Sequence, residues 1–407
     1  MMLLLTYFSL LLASLALVPV TVLLVQVLTA KLARCAAQSS TSHFASASAP
    51  APVPLASRAR VAVLVPAHNE AGGIAETVQS ILAQLLPGDR VIVVADNCCD
   101  DTAIAAAQAG AEVIERNDAG RRGKGYALDF GMRHLEAQPP DVVLVIDADC
   151  LVQEGALELL ARRCMDAGGP VQALYLMHAA PNAGLHMRIA EFAWLVKNQV
   201  RPIGWHRLGL PCQLMGTGMA FPWPLIRSAQ LANGHLTEDM KLGLELAIAG
   251  FPAVFLSSAV VSSRFAAAEA GVKSQRVRWE HGHLSMILSE FPRLFATALI
   301  KRDTRLLGLA LDLCVPPLAL LVLGLAGIVM LSMAAALLGL SWTPLMLSAC
   351  ALGLLAGAIL LAWQGWGQAV ISLRELINIP GYVLSKIPLY CKFLIKRQKE
   401  WIRTERD

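Results

Sequence analysis

Two long stretches of this 407-residue chain contain no Asp, Glu, Lys or Arg, namely residues 1–30 and residues 313–373. A helix needs about 20 consecutive apolar residues to cross a bilayer, so each stretch is long enough to do so. The chain between them has ordinary charge density and, at roughly 240 residues, is large enough to bury its own core. The sequence therefore predicts a water-exposed domain set between membrane helices.

The overall composition narrows the class of function. The net charge is only +4, and no basic run alternates with aromatic residues, so a nucleic-acid partner is not expected. The nine cysteines are odd in number and none of them stands in C-x-x-C spacing. This pattern favours neither a disulfide framework nor a zinc site, and it indicates a reducing, cytosolic environment.

The charges that flank the apolar stretches predict a membrane topology. Residues 1–30 lack the basic start of a cleaved signal peptide, and Lys31 and Arg34 follow them. Basic residues favour the cytosolic side, so we expect the N-terminus outside. Arg374 follows the second apolar stretch and places the C-terminus in the cytosol by the same rule. The prediction is a multi-pass protein of the cell (inner) membrane with a cytosolic middle domain.

These patterns divide the chain into segments with different properties. We expect a transmembrane helix at 1–30, an Ala/Ser/Pro linker at 31–60, an α/β domain at 61–295, an interfacial helix with two transmembrane helices at 296–373, and a basic amphipathic cytosolic tail at 374–407. The tail mixes Lys and Arg with aromatic and aliphatic residues, which favours binding to anionic membrane lipids.

Short apolar runs alternate with helical patterns in the middle domain. Residues 61–65, 91–94 and 142–146 are typical of strands buried on both faces. This alternation predicts a doubly wound, mainly parallel sheet. A further strand, interrupted by glycines, is expected at 213–221. The turn at 66–70 lacks the G-x-G-x-x-G sequence of a dinucleotide fold, so NAD and FAD are not expected.

Two carboxylates follow the strand at 142–146. Asp147 and Asp149 are spaced i and i+2, and the carboxyl edge of a parallel sheet is where an α/β fold binds its ligand. Such a pair suits a hard divalent cation that carries the phosphates of a substrate. The alternative is a strand that merely ends in an acidic turn.

Further polar groups stand at helix starts and on one helix face. Residues 121–125 place glycines beside cations before a helix, which suits phosphate, although a solvated basic turn is the alternative. Two acids begin the helix after Thr237, where they either act chemically or complement the helix dipole. Gln275, Arg278 and Trp279 share a face that suits phosphate and a sugar ring. The alternative is a membrane-surface helix with snorkelling arginines.

Taken in order, these motifs resemble those of the membrane-bound family 2 glycosyltransferases, the group that includes cellulose, chitin and hyaluronan synthases. The motifs are residues 65–70 (Val-Pro-Ala-His-Asn-Glu), Asp96, residues 147–149 (Asp-Ala-Asp), residues 237–239 (Thr-Glu-Asp) and residues 275–279 (Gln-Arg-Val-Arg-Trp). The resemblance covers about residues 60–290 and the flanking membrane segments. It implies an α/β GT-A fold with α-helical transmembrane segments and an inverting transfer from a nucleotide-sugar, most often a UDP-sugar.

The resemblance also implies roles for individual residues. The nucleotide-sugar would be bound by Ala67, Glu70, Asp96, Lys124, Asp147, Ala148 and Arg278. The Mg²⁺ or Mn²⁺ ion would be held by Asp147 and Asp149, and the catalytic base would be Asp239. The acceptor would be bound by Gly216, Thr217, Gly218, Glu238, Gln275 and Trp279. An inverting transfer needs one carboxylate to accept the acceptor's proton, and the residues alone do not choose between Glu238 and Asp239.

The membrane part predicts the type of acceptor. Three predicted spans are too few to enclose a sugar pore in a monomer, so we expect transfer to a lipid-linked acceptor in exopolysaccharide or glycolipid assembly. One alternative is a processive oligo- or polysaccharide synthase with a glycan acceptor, acting as a homo-oligomer. Another is an inactive scaffold within a polysaccharide-assembly complex.

Overall fold

The computed structural model describes residues 2–41, 58–265 and 269–395. These residues form two compact units. The helical unit contains residues 2–41, 181–210 and 283–395, and the sheet unit contains the described parts of 58–180 and 211–282. Residues 42–57 of the predicted linker and 396–407 of the predicted tail lie outside the described residues.

The chain alternates strands and helices in the order that its sequence pattern predicts. The strands are β1 Val61–Ala67, β2 Arg90–Asp96, β3 Glu112–Arg116, β4 Val142–Val145, β5 Leu151–Val152, β6 Val171–His178, β7 Met219–Pro222 and β8 Val254–Arg264. The helices are α1 Met2–Thr41, α2 Ile74–Leu82, α3 Thr102–Gln108, α4 Lys124–Leu135, α5 Ala156–Ala167, α6 Leu185–Leu195, α7 Arg201–Arg207, α8 Trp223–Arg227, α9 Glu238–Ile248, α10 Glu269–Lys301, α11 Thr304–Leu313, α12 Leu318–Leu337, α13 Thr343–Ala362, α14 Ile379–Ser385 and α15 Ile387–Ile395.

The sheet unit is built on one eight-stranded sheet with the order β3-β2-β1-β4-β7-β6-β8-β5. Strands β1 to β4 are parallel to one another, whereas β7 runs antiparallel to both β4 and β6. The central strands are buried on both faces, and α2 places Ile74, Val78 and Ile81 in the core. The predicted mainly parallel α/β sheet is therefore confirmed.

The strand that we expected at 213–221 is much shorter than its apolar pattern suggests. Only Met219–Pro222 is extended, as β7. Gly216 and Gly218 have φ angles of +90° and +66°, which lie outside the range of a strand. The preceding residues therefore form a loop that runs beside the end of β4.

In the part of the chain that the structure describes, three helices are long and apolar enough to cross a membrane. They are Leu5–Ala36, Leu318–Leu337 and Thr343–Gly367, the last of which includes a π-helical turn after α13. Helix α1 continues to Thr41, beyond the predicted end at residue 30, because no Pro or Gly follows before that point. Lys31 Nζ donates to Gln364 Oε1 at 2.9 Å.

Residues 181–210 belong to the helical unit, so the predicted domain at 61–295 is interrupted there. Arg201 in α7 is buried, with its guanidinium 2.8 Å from Asp312 Oδ1 and 3.1 Å from Gln26 Oε1. Gln26 Nε2 also donates to Asp312 Oδ1 at 2.6 Å. This ion pair joins α1, α7 and α11, and each buried polar group in it has a partner, as a low-dielectric interior requires.

Candidate active site

A cleft opens where β1, β2 and β4 end, at the carboxyl edge of the parallel strands. It contains about 810 Å³ of space free of protein atoms, part of which is open solvent. The residues that line it are Pro66, Ala67, His68, Glu70, Asp96, Asn97, Arg122, Gly123, Lys124, Ala127, Asp147, Ala148, Asp149 and Arg278. The structure thus brings together all eight residues that the sequence assigned to the nucleotide-sugar and the metal.

The two acids after β4 are placed so that they could hold a cation. One ligand atom each from Asp147, Asp149 and Cys150 lies within 4.8 Å of the others. Burial, followed by the charges of Asp149 and Asp147, raises the pKa of the buried Cys150 thiol well above its usual value, so this group remains protonated. The carboxylates therefore provide the hard oxygen ligands that Mg²⁺ and Mn²⁺ prefer.

Lys124 is the first residue of α4, and its ammonium lies against these acids. Lys124 Nζ is in direct contact with Asp147 Oδ1 and donates to Gly216 O at 2.7 Å. Burial acts to lower the pKa of Lys124, but the negative charges of Asp147, Glu238 and Asp239 outweigh it and raise the pKa to about 12. The ammonium therefore remains charged at neutral pH.

Gly216 is the point at which three elements meet. A Cβ atom at this position would lie 3.3 Å from Asp239 Oδ2, 3.7 Å from Lys124 Nζ and 3.9 Å from Asp147 Oδ2. Its φ of +90° is also strained for any residue with a side chain. Glycine at this position therefore leaves room for Asp147, Asp239 and the Lys124 ammonium to lie close to the same stretch of backbone.

Thr217 and Gly218 follow in the interior of the unit. The Thr217 side chain is fully buried and its Oγ1 accepts a 3.0 Å hydrogen bond from the backbone N–H of Asp147. A Cβ atom at Gly218 would lie 2.7 Å from Ala173 Cβ. The geometry thus gives both residues a part in placing the acids, and their predicted contact with an acceptor stays a prediction.

Sequence reasoning missed Gln172, which holds this loop in place. The side chain is fully buried. Its Oε1 accepts from Met215 N at 2.8 Å, and its Nε2 donates to Thr217 O at 2.8 Å and to Ala173 O at 2.9 Å. The only signal in the sequence was the position of Gln172, a polar amide among the apolar residues at the start of β6.

Asp96, at the end of β2, is fixed by a second residue that the sequence did not indicate. Arg116 lies opposite Asp96 in the register of β2 and β3, and its guanidinium lies 2.6 Å from Asp96 Oδ1. The Asp96 backbone carbonyl lies 2.6 Å from His68 Nδ1, which belongs to the loop after β1. Asp96 therefore ties together two strand ends that line the cleft.

Two acids begin α9 beside the cleft. Burial, and then the charge of Asp239, raises the pKa of Glu238 to about 7, although Lys124 acts in the opposite direction. Thr237 is at the N-cap position of α9, and its side chain makes no capping hydrogen bond. Glu238 therefore still holds a proton at pH values at which an ordinary glutamate is ionised.

Helix α10 carries the last predicted residues. Arg278 lines the cleft, whereas Gln275 is buried and Trp279 is half-buried, and neither of these two is part of the cleft lining. The buried Oε1 of Gln275 has no hydrogen-bond partner among the described residues. Arg278 is thus the member of this motif that the structure places with the Asp-X-Asp acids.

An α/β sheet whose carboxyl edge presents two acids, a lysine and an arginine defines a class of proteins built to hold a divalent cation with a phosphorylated ligand. The family can be stated more closely. The family model described as "Glycosyltransferase like family 2" matches residues 59–282, more than half of the chain, and the protein belongs to this family.

Individual relatives and a solved structure agree with this assignment. The chain is 37% identical over 126 residues to an uncharacterized glycosyltransferase of Mycobacterium tuberculosis (31% of this chain, 51% of the relative). It is 25% identical over 251 residues to a probable glycosyltransferase of Bacillus subtilis (58% of each). The chain therefore spans about half the length of these curated relatives.

The fold is similar to that of a mannosyltransferase from Pyrobaculum calidifontis, solved in complex with GDP-Man and Mn²⁺. The TM-score is 0.50 at 19% identity, and the match covers 95% of this chain and 100% of the other. The GT-A fold expected from the sequence motifs is confirmed.

Proposed function

We propose that this protein is an inverting, metal-dependent glycosyltransferase that moves a sugar from a nucleotide-sugar to a lipid-linked acceptor. The observation that carries the proposal is the meeting of Asp147, Lys124 and Asp239 around Gly216 at the edge of the cleft. A base, a cation site and a fixed positive charge within a few ångströms are the groups that such a transfer requires.

The chemistry divides among these residues. Asp239 accepts the proton of the acceptor hydroxyl as its oxygen bonds to the anomeric carbon. The bond from that carbon to the diphosphate breaks, and the diphosphate leaves with the electron pair. Lys124 and Arg278 bind its negative charge. A Mg²⁺ or Mn²⁺ held by Asp147 and Asp149 would supply further charge neutralisation to the leaving group.

The donor site lies along the ends of β1 and β2. Ala67, Glu70 and Asp96 line this part of the cleft, and Ala148 lies between the two acids. We propose a UDP-sugar as donor on the resemblance of the motifs. The mannosyltransferase of similar fold was solved with GDP-Man, so a donor panel has to include both nucleotides.

The acceptor side is proposed from the loop before β7, the start of α9 and the first turns of α10. Gly216, Thr217, Gly218, Glu238, Gln275 and Trp279 are the proposed acceptor-binding residues, and the buried Gln275 Oε1, without a partner among the described residues, can accept a hydroxyl hydrogen bond. Three apolar helices support a membrane-embedded protein. The basic residues Lys31 and Arg34, near the end of Leu5–Ala36, favour a catalytic unit on the cytosolic side of the inner membrane, with a role in exopolysaccharide or glycolipid assembly.

The two basic residues of α1, Lys31 and Arg34, lie beside the π-helical turn that follows α13. Arg34 lies 5.3 Å from the centre of the Trp366 ring, and Lys31 contacts Gln364. These two contacts bring basic residues of α1 and the turn after α13 to one level within the helical unit. Arg, Lys and Trp are the side chains found at membrane–water interfaces, which supports a cytosolic position for this level, with the N-terminus outside.

The test uses membranes that contain the chain, Mg²⁺ or Mn²⁺, and radiolabelled UDP- and GDP-sugars. Label that enters an organic extract with the wild type, but not with Asp239→Asn, is the expected result. Label in a large polymer would instead identify a processive synthase. No incorporation by the wild type with any donor and added lipid extract would contradict the proposed transfer and favour the scaffold.

A further inference from the structure

The ammonium of Lys124 occupies part of the site that a divalent cation needs. Asp147 provides one of the atoms of the possible metal group, and the same carboxylate is in direct contact with Lys124 Nζ. A divalent ion bound there would lie a few ångströms from the positive charge of Lys124. Their repulsion is large in a partly desolvated site, so the two cations compete for Asp147.

The surroundings favour the lysine in the absence of ligands. Its side chain is only 18% exposed, and its second partner is the carbonyl of Gly216. Asp239 Oδ2 and Lys124 Nζ both lie within 4 Å of the Cβ position that Gly216 lacks. The ammonium thus neutralises acids from β4 and α9 at once and holds them together without metal.

The same lysine can leave this position without any change of the fold. Lys124 is the first residue of α4, and its flexible four-carbon stem lies in the wall of the cleft that also contains Arg122 and Arg278. A nucleotide diphosphate in this cleft offers phosphate oxygens as new partners for the ammonium. Its arrival would free Asp147 for the metal.

We propose that Lys124 is a resident cation that blocks the metal site of the empty enzyme and is drawn away by the diphosphate of the donor. This proposal rests on the nucleotide-sugar donor of the proposed function. It makes metal and nucleotide binding cooperative, and by linkage each ligand tightens the other by the same factor. Lys124 is then a positioning residue, and it makes the metal bind together with or after the nucleotide.

The experiment measures Mn²⁺ affinity directly, by the EPR signal of free Mn²⁺, on the detergent-purified full chain. Titrations are made without nucleotide and with saturating UDP or GDP. For the wild type, we expect weak binding that tightens when nucleotide is added. For Lys124→Met, we expect Mn²⁺ alone to bind at least about tenfold more tightly than to the wild type, with a smaller further gain from nucleotide.

Two variants serve as controls. Arg133→Met removes one positive charge from the same helix, where Arg133 pairs with Asp129 and is largely exposed, and it should bind Mn²⁺ as the wild type does. Lys124→Arg keeps the charge and should keep the weak affinity of the empty enzyme. Both Lys124 variants are first checked for a cooperative thermal transition.

Either of two results would overturn the proposal. In the first, Lys124→Met binds Mn²⁺ without nucleotide no more tightly than the wild type does. In the second, Lys124→Arg and Lys124→Met both bind Mn²⁺ without nucleotide more tightly than the wild type, and by the same factor. If Lys124→Met does not fold, the wild type and Lys124→Arg still test the proposal. It is contradicted if nucleotide tightens Mn²⁺ binding in neither of these two proteins. These titrations need no sugar or acceptor, so their outcome is separate from that of the transfer assay.

Discussion

A Cβ atom on Gly282 would lie 2.5 Å from Cγ2 of Thr237. An added methyl group does not fit at this distance unless the Thr237 side chain or one of the two segments moves. Gly282 in α10 therefore lets the helix that bears Arg278 pack directly against the residue before Glu238 and Asp239. The position of Arg278 relative to Glu238 and Asp239 depends on this contact.

Gly282→Ala should accordingly reduce transfer by at least about tenfold, since small displacements of catalytic groups are costly. Alanine is the better helix former by about 1 kcal/mol, so the loss cannot come from helix propensity. Gly353→Ala in α13, where nothing lies within 4 Å of the new methyl, is the matched control. Initial rates at saturating donor measure the effect, and equal rates for both variants would show that the contact is unimportant.

Gln172→Met should weaken metal binding from a distance. The change leaves Met215 N, Thr217 O and Ala173 O without the buried amide that now pairs with them. Each orphaned group costs about 1–3 kcal/mol. We expect a lower unfolding temperature and, because Thr217 fixes the Asp147 backbone, a weaker Mn²⁺ affinity in the presence of nucleotide.

Thermal unfolding and Mn²⁺ titration of Gln172→Met are compared with those of Gln108→Met, a substitution at an exposed position. The control should match the wild type in both measurements. A Gln172→Met protein that is destabilised but binds Mn²⁺ with wild-type affinity would show that Gln172 supports the fold without positioning the acids.

The cleft was predictable because its signals are local. Each strand that ends at the carboxyl edge is a buried apolar run, and the polar residues that follow it, such as Asp96 and Asp147, stand next to it in the chain. The position of residues 181–210 was not predictable, because an amphipathic helix has the same pattern whether its apolar face packs on a sheet or on membrane helices. Nothing in the pattern distinguishes these two kinds of partner.

The supporting contacts were hidden for a related reason. Arg116 reaches Asp96 through the register of two strands, and Gln172 reaches Thr217 across 45 positions of the chain. Such pairs become visible only once the sheet order is known. The helical form of residues 237–248 was predictable, but which of its first acids is protonated depends on burial and on Lys124, which no local pattern records.

Glu238 should make the stability of the metal-free protein depend on pH. Its pKa in the fold is about 7, above the usual 4.5, so the folded state favours the protonated form. This contribution to stability is fully present below pH 4.5 and is lost as the pH rises through 7. Glu238→Gln should therefore raise the unfolding temperature at pH 8, with little effect near pH 4.5.

The matched control is Glu245→Gln on the same helix, where Glu245 lies 3.9 Å from Lys241. It should show no stabilisation that appears only above pH 7. The test compares the unfolding temperatures of the wild type and the two variants, measured with a chelator from pH 4.5 to pH 8. A Glu238→Gln protein that is not stabilised at pH 8 relative to wild type would show that Glu238 is already ionised in the metal-free fold.

Arg201 and Asp312 form a buried pair whose loss should be costly. Their side chains are 7% and 11% exposed, compared with 34% and 25% for the Arg188–Glu375 pair of the same unit. Arg201→Met leaves a buried carboxylate without its cation, which typically costs about 3–5 kcal/mol. Arg188→Met removes a more exposed pair, worth about 0–1 kcal/mol. Thermal unfolding in detergent should therefore show a large decrease for Arg201→Met and a small one for Arg188→Met, and equal decreases would mean that water reaches Asp312.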